Sequence, residues 1–280
     1  MMSGEDFKLA GVMGWPVAHS LSPRLHGHWL KRYGIDGAYV PLAVRPGDLE
    51  KCLRSLGPMG FRGVNITVPH KQMALEICDQ TDEEAGRIGA VNTISVGDDG
   101  RLVGSNTDGF GFLENIKSQN PAWRADRGPA VVLGAGGAAR GVCTALMGAG
   151  APEIKLVNRT LARAQALAGD LGGTISAHSW EERGDCLEGA ALLVNTTSLG
   201  MQGEAELDLD LAGLPSEALV TDIVYAPLET SLLAGAKMRG HPAIDGLGML
   251  LHQARPGFAA WFGAEPQVDG ELRRVVLEGR

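Results

Sequence analysis

The sequence predicts an α/β protein that carries a strand–turn–helix dinucleotide-binding unit on a parallel sheet. Two observations carry that prediction. Ala130 to Leu133 is a short apolar run that feeds directly into Gly134, Gly136 and Ala139, and Val142 to Met147 beyond them are apolar and helix-compatible. This is strand, tight turn and helix at the G-x-G-x-x-A spacing of a dinucleotide site. Second, strand-length apolar runs alternate with helical stretches along the chain, the pattern of sheets covered by helices. A length of 280 residues is near the limit of a single core, so one large or two modest domains are expected.

Composition narrows the class. Hydrophobic content of 44% and charged content of 21% are those of an ordinary soluble globular chain. A net charge of −8 argues against a nucleic-acid partner. The four cysteines, Cys52, Cys78, Cys143 and Cys186, lie far apart with no C-x-x-C pair. They read as thiols in a reducing cytoplasm, with neither disulfide nor metal expected. Residues 1–6 are polar and acidic and do not read as a signal peptide. The longest apolar run, from Gly134 to Ala151, contains Arg140 and many glycines and falls short of a membrane span.

In the first half, Lys8 to Gly14 reads as a strand, and Ser22 with Pro23 as a helix N-cap followed by proline at the first helical position. Ser20 has no such task, and its hydroxyl is placed to meet a ligand. Ala38 to Val44 and Phe61 to Val68 are further strands, with a short helix over Asp48 to Leu56 between them. Pro69 is expected to open a helix with Lys71 in its first turn. A cation there sits against the helix dipole, which eases loss of its proton and suits general acid–base work. Asp98-Asp99-Gly100 marks a hairpin between Ala90–Val96 and Arg101–Ser105. Asp108 reads as a helix N-cap, and Asn92 as a neutral polar group able to bond a hydroxyl.

In the second half, Gly134-Ala135-Gly136-Gly137-Ala138 is the candidate phosphate cradle at a helix N-terminus. The next strand, Glu153 to Asn158, decides the cofactor. An NAD site offers an acid about twenty residues past the glycines for the ribose 2′-hydroxyl. Here the strand ends in Asn158-Arg159-Thr160, with Arg163 one helical turn on and no acid. Two guanidiniums and a hydroxyl suit a 2′-phosphate, so NADP is favoured. Strands over Ala190–Asn195, Leu219–Val224 and Ala243–Ile244 end in small or polar residues, where ligands lie in open α/β sheets. Met249 to Phe262 is expected to be helical despite Pro256, with Gln253 on it, and Val268 to Glu278 forms a last helix.

Seven motifs in order resemble the shikimate dehydrogenase family over nearly the whole chain. They are His19-Ser20-Leu21-Ser22-Pro23, Asn65-Ile66-Thr67-Val68-Pro69-His70-Lys71, Gly89-Ala90-Val91-Asn92-Thr93 and Asn106-Thr107-Asp108-Gly109. The series continues with Gly134-Ala135-Gly136-Gly137-Ala138, Asn158-Arg159-Thr160 with Arg163, and Asp245-Gly246-Leu247-Gly248-Met249-Leu250. The resemblance implies a substrate domain of residues 1–107 plus 246–280 and a Rossmann-like NADP domain of residues 108–245. It implies reversible, NADP-dependent reduction of 3-dehydroshikimate to shikimate in aromatic amino-acid biosynthesis, in a cytoplasmic monomer or homodimer.

By the same resemblance Lys71 and Asp108 are the catalytic pair, and Ser20, Ser22, Asn65, Thr67, Asn92, Tyr225 and Gln253 hold the substrate. Beside the glycine loop and the Arg159 cluster, Thr196, Thr197, Ser198, Ile223, Gly246 and Met249 take cofactor positions. Two residues depart from the family pattern: His70 stands where phenylalanine is frequent, and Ser105 where aspartate is frequent. Three rivals follow. An NAD-dependent quinate/shikimate dehydrogenase is disfavoured by Arg159, and the full motif set disfavours a methylenetetrahydrofolate dehydrogenase. A non-catalytic nucleotide-sensing protein would be expected to have lost Lys71 or Asp108, and both are present.

Overall fold

The computed structural model describes residues 7–278. Residues 1–6, where no signal peptide is expected, lie outside them. In chain order come β1 (Lys8–Gly14), α1 (Ser22–Arg32), β2 (Gly37–Ala43), α2 (Leu49–Arg54), β3 (Phe61–Ile66) and α3 (Lys71–Ile77). Next are β4 (Gln80–Thr81), α4 (Glu83–Ile88), β5 (Thr93–Val96), β6 (Leu102–Ser105) and α5 (Asp108–Gln119). After these follow β7 (Ala130–Leu133), α6 (Gly137–Gly148), β8 (Ile154–Asn158), α7 (Leu161–Leu171), β9 (Ile175–Ser179) and β10 (Leu192–Asn195). The chain closes with β11 (Leu219–Asp222), α8 (Ser231–Met238), β12 (Ala243–Ile244), α9 (Leu247–Phe262) and α10 (Gly270–Leu277). Among the described residues, no helix is long and apolar enough to cross a membrane.

Two compact units result, residues 1–107 with 251–280, and residues 108–250. The return to the first unit therefore falls at Leu251, inside α9, and not at Gly246 as the sequence suggested. Close packing explains the difference. A Cβ on Gly246 would come 2.3 Å from the Ile223 carbonyl oxygen, and one on Gly248 would overlap the Asn115 amide. Both contacts tie the start of α9 to the second unit.

The first unit is a mixed sheet in the order β2-β1-β3-β5-β6-β4. β1 pairs in parallel with β2 and β3, while β5 runs antiparallel to both β3 and β6. Met13, Val64, Ile66 and Ile94 from the strands pack with Leu49 and Leu53 of α2 into one apolar cluster. Burial of each such side chain contributes about 1.5–3 kcal/mol. α9 is anchored by Trp261, whose indole N–H donates to the Ile94 carbonyl at 3.1 Å. That approach requires glycine at position 63, where a Cβ would lie 2.1 Å from the indole nitrogen.

In the second unit the sheet is wholly parallel in the order β12-β11-β10-β7-β8-β9, a doubly wound arrangement. Successive residues of β7 face opposite sides. Ala130 and Val132 pack under α5 and α6 residues such as Phe112 and Leu146, while Val131 and Leu133 meet Leu232 and Leu233 of α8. Covering both faces explains why these strands are continuous apolar runs rather than alternating ones.

Candidate active site

Within the first unit, Lys71 is the first residue of α3, with His70 at the capping position. Pro69 does not open the helix. The Thr67 carbonyl accepts the His70 N–H at 3.0 Å, closing a turn through Val68 and Pro69 before α3 begins. Two tertiary bonds then fix this helix start. The Val91 N–H donates to the Lys71 carbonyl at 2.9 Å, and the buried His70 ring donates from Nε2 to the Val44 carbonyl at 2.8 Å. A phenylalanine at position 70 would fill similar space without that second bond.

The two serines exchange their expected roles. α1 begins at Ser22 with Leu21 at the capping position, where no side chain caps the helix. The Ser20 hydroxyl accepts the Ser22 N–H at 3.3 Å, so the serine expected only to meet a ligand also takes the amide. The buried Ser22 hydroxyl instead lies beside the Tyr39 hydroxyl. A tertiary partner has displaced the local capping pattern.

From Tyr39 a chain of hydrogen bonds crosses the unit. Tyr39 donates to Asn65 Oδ1 at 2.6 Å, and Asn65 Nδ2 donates to Thr93 Oγ1 at 3.0 Å and to the Asn92 carbonyl at 3.2 Å. Thr93 Oγ1 donates to Asn92 Oδ1 at 2.9 Å, which also accepts the Thr107 N–H at 2.9 Å. Asn92 Nδ2 reaches Gln253 Oε1 at 3.3 Å, and the Thr107 hydroxyl donates to the Gln253 carbonyl at 2.8 Å. Four residues expected to hold a substrate, Ser22, Asn65, Asn92 and Gln253, are thereby brought together. Thr67 lies just past β3, where its methyl group fills the space that a side chain at Gly14 would take. Sequence reasoning gave no role to the linking residues: Tyr39 and Thr93 are polar residues at strand positions, and Thr107 lies in the short loop between β6 and α5.

In the second unit, Asp108 is the first residue of α5 rather than the residue before it, an acid at the positive end of the helix dipole. Tyr225 follows β11 and is half-buried. Gly134 has φ +103°, and a Cβ there would meet Thr196 Oγ1 at 2.9 Å, so only glycine suits the turn. Around Gly136 and Gly137 a Cβ would meet nothing within 4 Å. The N-terminus of α6 thus opens onto clear space that any larger residue would fill, and Ala139 behind it is fully buried. No acid occupies the first turn of α6. This cradle fits a pyrophosphate.

At the end of β8, Asn158 Nδ2 donates to the Thr160 carbonyl at 2.9 Å and shapes the turn into α7. Arg159 and Arg163 are exposed, and among the described residues neither has a carboxylate partner. Arg140, in contrast, pairs with Asp170 at 2.5 Å. Two uncompensated guanidiniums with Thr160 beside them fit a phosphate monoester.

The remaining strand ends are held by residues that the sequence did not single out. Asn195 Oδ1 accepts the Thr197 N–H and hydroxyl at 3.0 and 2.7 Å, and Asn195 Nδ2 donates to Asp222 Oδ1 at 3.0 Å. Thr196 donates its hydroxyl to the Leu133 carbonyl at 2.6 Å. Both threonine hydroxyl protons are therefore committed inside the unit, whereas Ser198 is exposed. Asp222 also accepts from Val224 N–H at 2.9 Å and from the Thr230 hydroxyl at 2.8 Å, and burial pushes its carboxyl pKa up. Ile223 and Met249 pack against the α6 side of the sheet.

Asp222→Ala is expected to lower stability by about 2–4 kcal/mol, because three donors lose their acceptor. Asp222→Asn keeps one acceptor oxygen and turns its amide to Thr230, so most of the stability is retained. Urea unfolding of both variants checks this. Equal losses would show that the carboxylate charge, not the acceptor pattern, matters.

Comparison with known proteins follows the same division. Residues 12–94 match the family model described as the shikimate dehydrogenase substrate binding domain, and residues 118–201 that described as shikimate / quinate 5-dehydrogenase. The chain is 62% identical to a shikimate dehydrogenase (NADP(+)) of Rhodospirillum rubrum, over 99% of both chains. It is 59% identical to one of Paramagnetospirillum magneticum, over 99% of this chain and 100% of that one. Among solved structures, shikimate 5-dehydrogenase of Thermus thermophilus, in complex with NADP(H) and shikimate, is 40% identical with a TM-score of 0.85. That match covers 96% of this chain and 100% of the other. Quinate dehydrogenase of Corynebacterium glutamicum, in complex with NAD, is 30% identical with a TM-score of 0.90, covering 97% and 99%. On sequence identity sustained over the full length, the chain belongs to the shikimate dehydrogenase family.

Proposed function

We propose that this chain catalyses the reversible, NADP-dependent reduction of 3-dehydroshikimate to shikimate. The observation that carries the reading is the network from Ser22 to Gln253, a set of neutral hydrogen-bonding groups gathered beside the fixed start of α3. Such groups recognise a small polyhydroxylated ligand, and Lys71 adds one cationic acid–base group to them. Ser20, Ser22, Asn65, Thr67, Asn92, Tyr225 and Gln253 hold the substrate in this reading.

Gly134 to Ala138 would hold the pyrophosphate, Asn158, Arg159, Thr160 and Arg163 the adenosine end with its 2′-phosphate, and Thr196 to Ser198, Ile223, Gly246 and Met249 the remainder. When bound, NADPH supplies the hydride that reduces the C3 ketone. The ammonium of Lys71 gives its proton to the oxygen on which negative charge develops, and the neutral amine takes that proton back in the oxidation. Asp108 completes the proton-handling pair and binds substrate hydroxyls. The 1–107 and 251–280 unit serves the substrate and the 108–250 unit the cofactor, in a cytoplasmic monomer or homodimer with no nucleic-acid partner.

Quinate with NAD is the competing pair. The end of β8 offers no acid for an unphosphorylated ribose, which favours NADP. Titrating each dinucleotide into the protein tests the cofactor assignment. NADP is expected to bind at least about tenfold more tightly than NAD, the gain from one charge-assisted contact. Equal affinities would overturn it.

A further inference from the structure

Tyr39 stands at the junction of the network, and its surroundings are unusual. Its ring lies flat on His26, with centroids 3.9 Å apart and planes 1° from parallel, and Trp261 approaches at 6.1 Å. His26 is fully buried among Trp29, Phe258 and Trp261, and neither of its ring nitrogens has a hydrogen-bond partner. Burial pushes its pKa down to about 3, so the ring is neutral and gives Tyr39 a flat surface rather than a charge.

The direction of every bond at Tyr39 is fixed by its neighbours. Asn65 Nδ2 faces the Asn92 carbonyl, which only accepts, so Oδ1 must be the atom turned to Tyr39. The single phenolic proton therefore goes to Asn65, which leaves the phenolic oxygen as an acceptor on the side of the neighbouring Ser22 hydroxyl. Asn65 has both amide hydrogens committed within the unit and one carbonyl lone pair committed to Tyr39. Toward a ligand it can offer only its other lone pair, an acceptor for a ligand hydroxyl.

We propose that Tyr39 is a positioning residue for the substrate site, its hydroxyl holding Asn65 of β3 beside Ser22 of α1 and its ring held in register by His26. This proposal rests on the reading of that site as the shikimate site. Its effect is on substrate binding, not on the reacting atoms.

The test is Tyr39→Phe, which keeps the ring and removes the hydroxyl, together with His26→Phe and His26→Leu. For Tyr39→Phe the KM for shikimate is expected to rise about 5- to 30-fold, the equivalent of one lost buried hydrogen bond, with kcat and the KM for NADP within about twofold. His26→Phe retains a flat ring and should leave the shikimate KM within about threefold, whereas His26→Leu should move it in the direction of Tyr39→Phe. An unchanged shikimate KM in Tyr39→Phe overturns the proposal. So does an equal rise in both KM values, the mark of a general loss of structure. If the wild-type chain does not turn over shikimate, the functional reading fails, and crystal structures of wild type and Tyr39→Phe then decide the positioning role. A reoriented Asn65 amide or Ser22 hydroxyl group supports it, and an unmoved pair overturns it.

Discussion

Lys71→Ala is expected to lower kcat by about 10²- to 10⁴-fold while leaving the KM for shikimate within a few-fold, the pattern of a lost acid–base group. The structure makes the substitution a clean one. Lys71 starts α3, its carbonyl is held by Val91 N–H, and that backbone bond does not depend on the side chain. Alanine is the strongest helix former, so α3 should persist and thermal stability should change little. Steady-state kinetics with shikimate and NADP read the split. A large rise in KM at unchanged kcat would make Lys71 a binding residue, and its placement at the helix start would then serve charge alone.

The double substitution Arg159→Ala with Arg163→Ala should weaken NADP binding by about 10- to 150-fold and leave NAD binding within about twofold. The range corresponds to the loss of about 1.5–3 kcal/mol of charge-assisted hydrogen bonding. Both guanidiniums are exposed, Arg159 just past β8 and Arg163 in the first turn of α7, and among the described residues neither has a carboxylate partner, so their removal leaves no buried charge behind. Stability should therefore be nearly unaffected, which separates this result from unfolding. Equal losses for NADP and NAD would place the arginines on a part common to both dinucleotides. No loss for either would remove them from the site.

Much of this site was legible because its signals are local. The turn at Gly134, the open approach at Gly136 and the fully buried Ala139 each follow from a residue and its immediate neighbours. So does the absence of an acid after β8. What escaped the sequence depends on distant partners. Tyr39 and Asn65 are 26 residues apart, Asn195 and Asp222 27, and Asn92 and Gln253 161. No spacing rule links them.

The same contest explains the local errors. Ser22 fits the capping pattern, yet its hydroxyl lies beside Tyr39 and its amide is taken by Ser20. Pro69 suits a helix start, but the Thr67–His70 turn takes it first. The two-residue β4 is too short to leave a pattern, and β9 is a half-buried edge strand with polar residues at Ser176, His178 and Ser179. The unit boundary was misplaced because α9 runs on as a single helix through Leu251, leaving no break in composition to mark it.

The most direct test of the account is the absorbance of NADPH during turnover by the purified chain, with shikimate or quinate as substrate and NADP or NAD as acceptor. A clear rise is expected with shikimate and NADP, and little with any other combination. Activity mainly with NAD or with quinate would contradict the roles given to Arg159 and to the substrate network. No rise with any pair would contradict the enzymatic reading itself and favour a nucleotide-sensing protein.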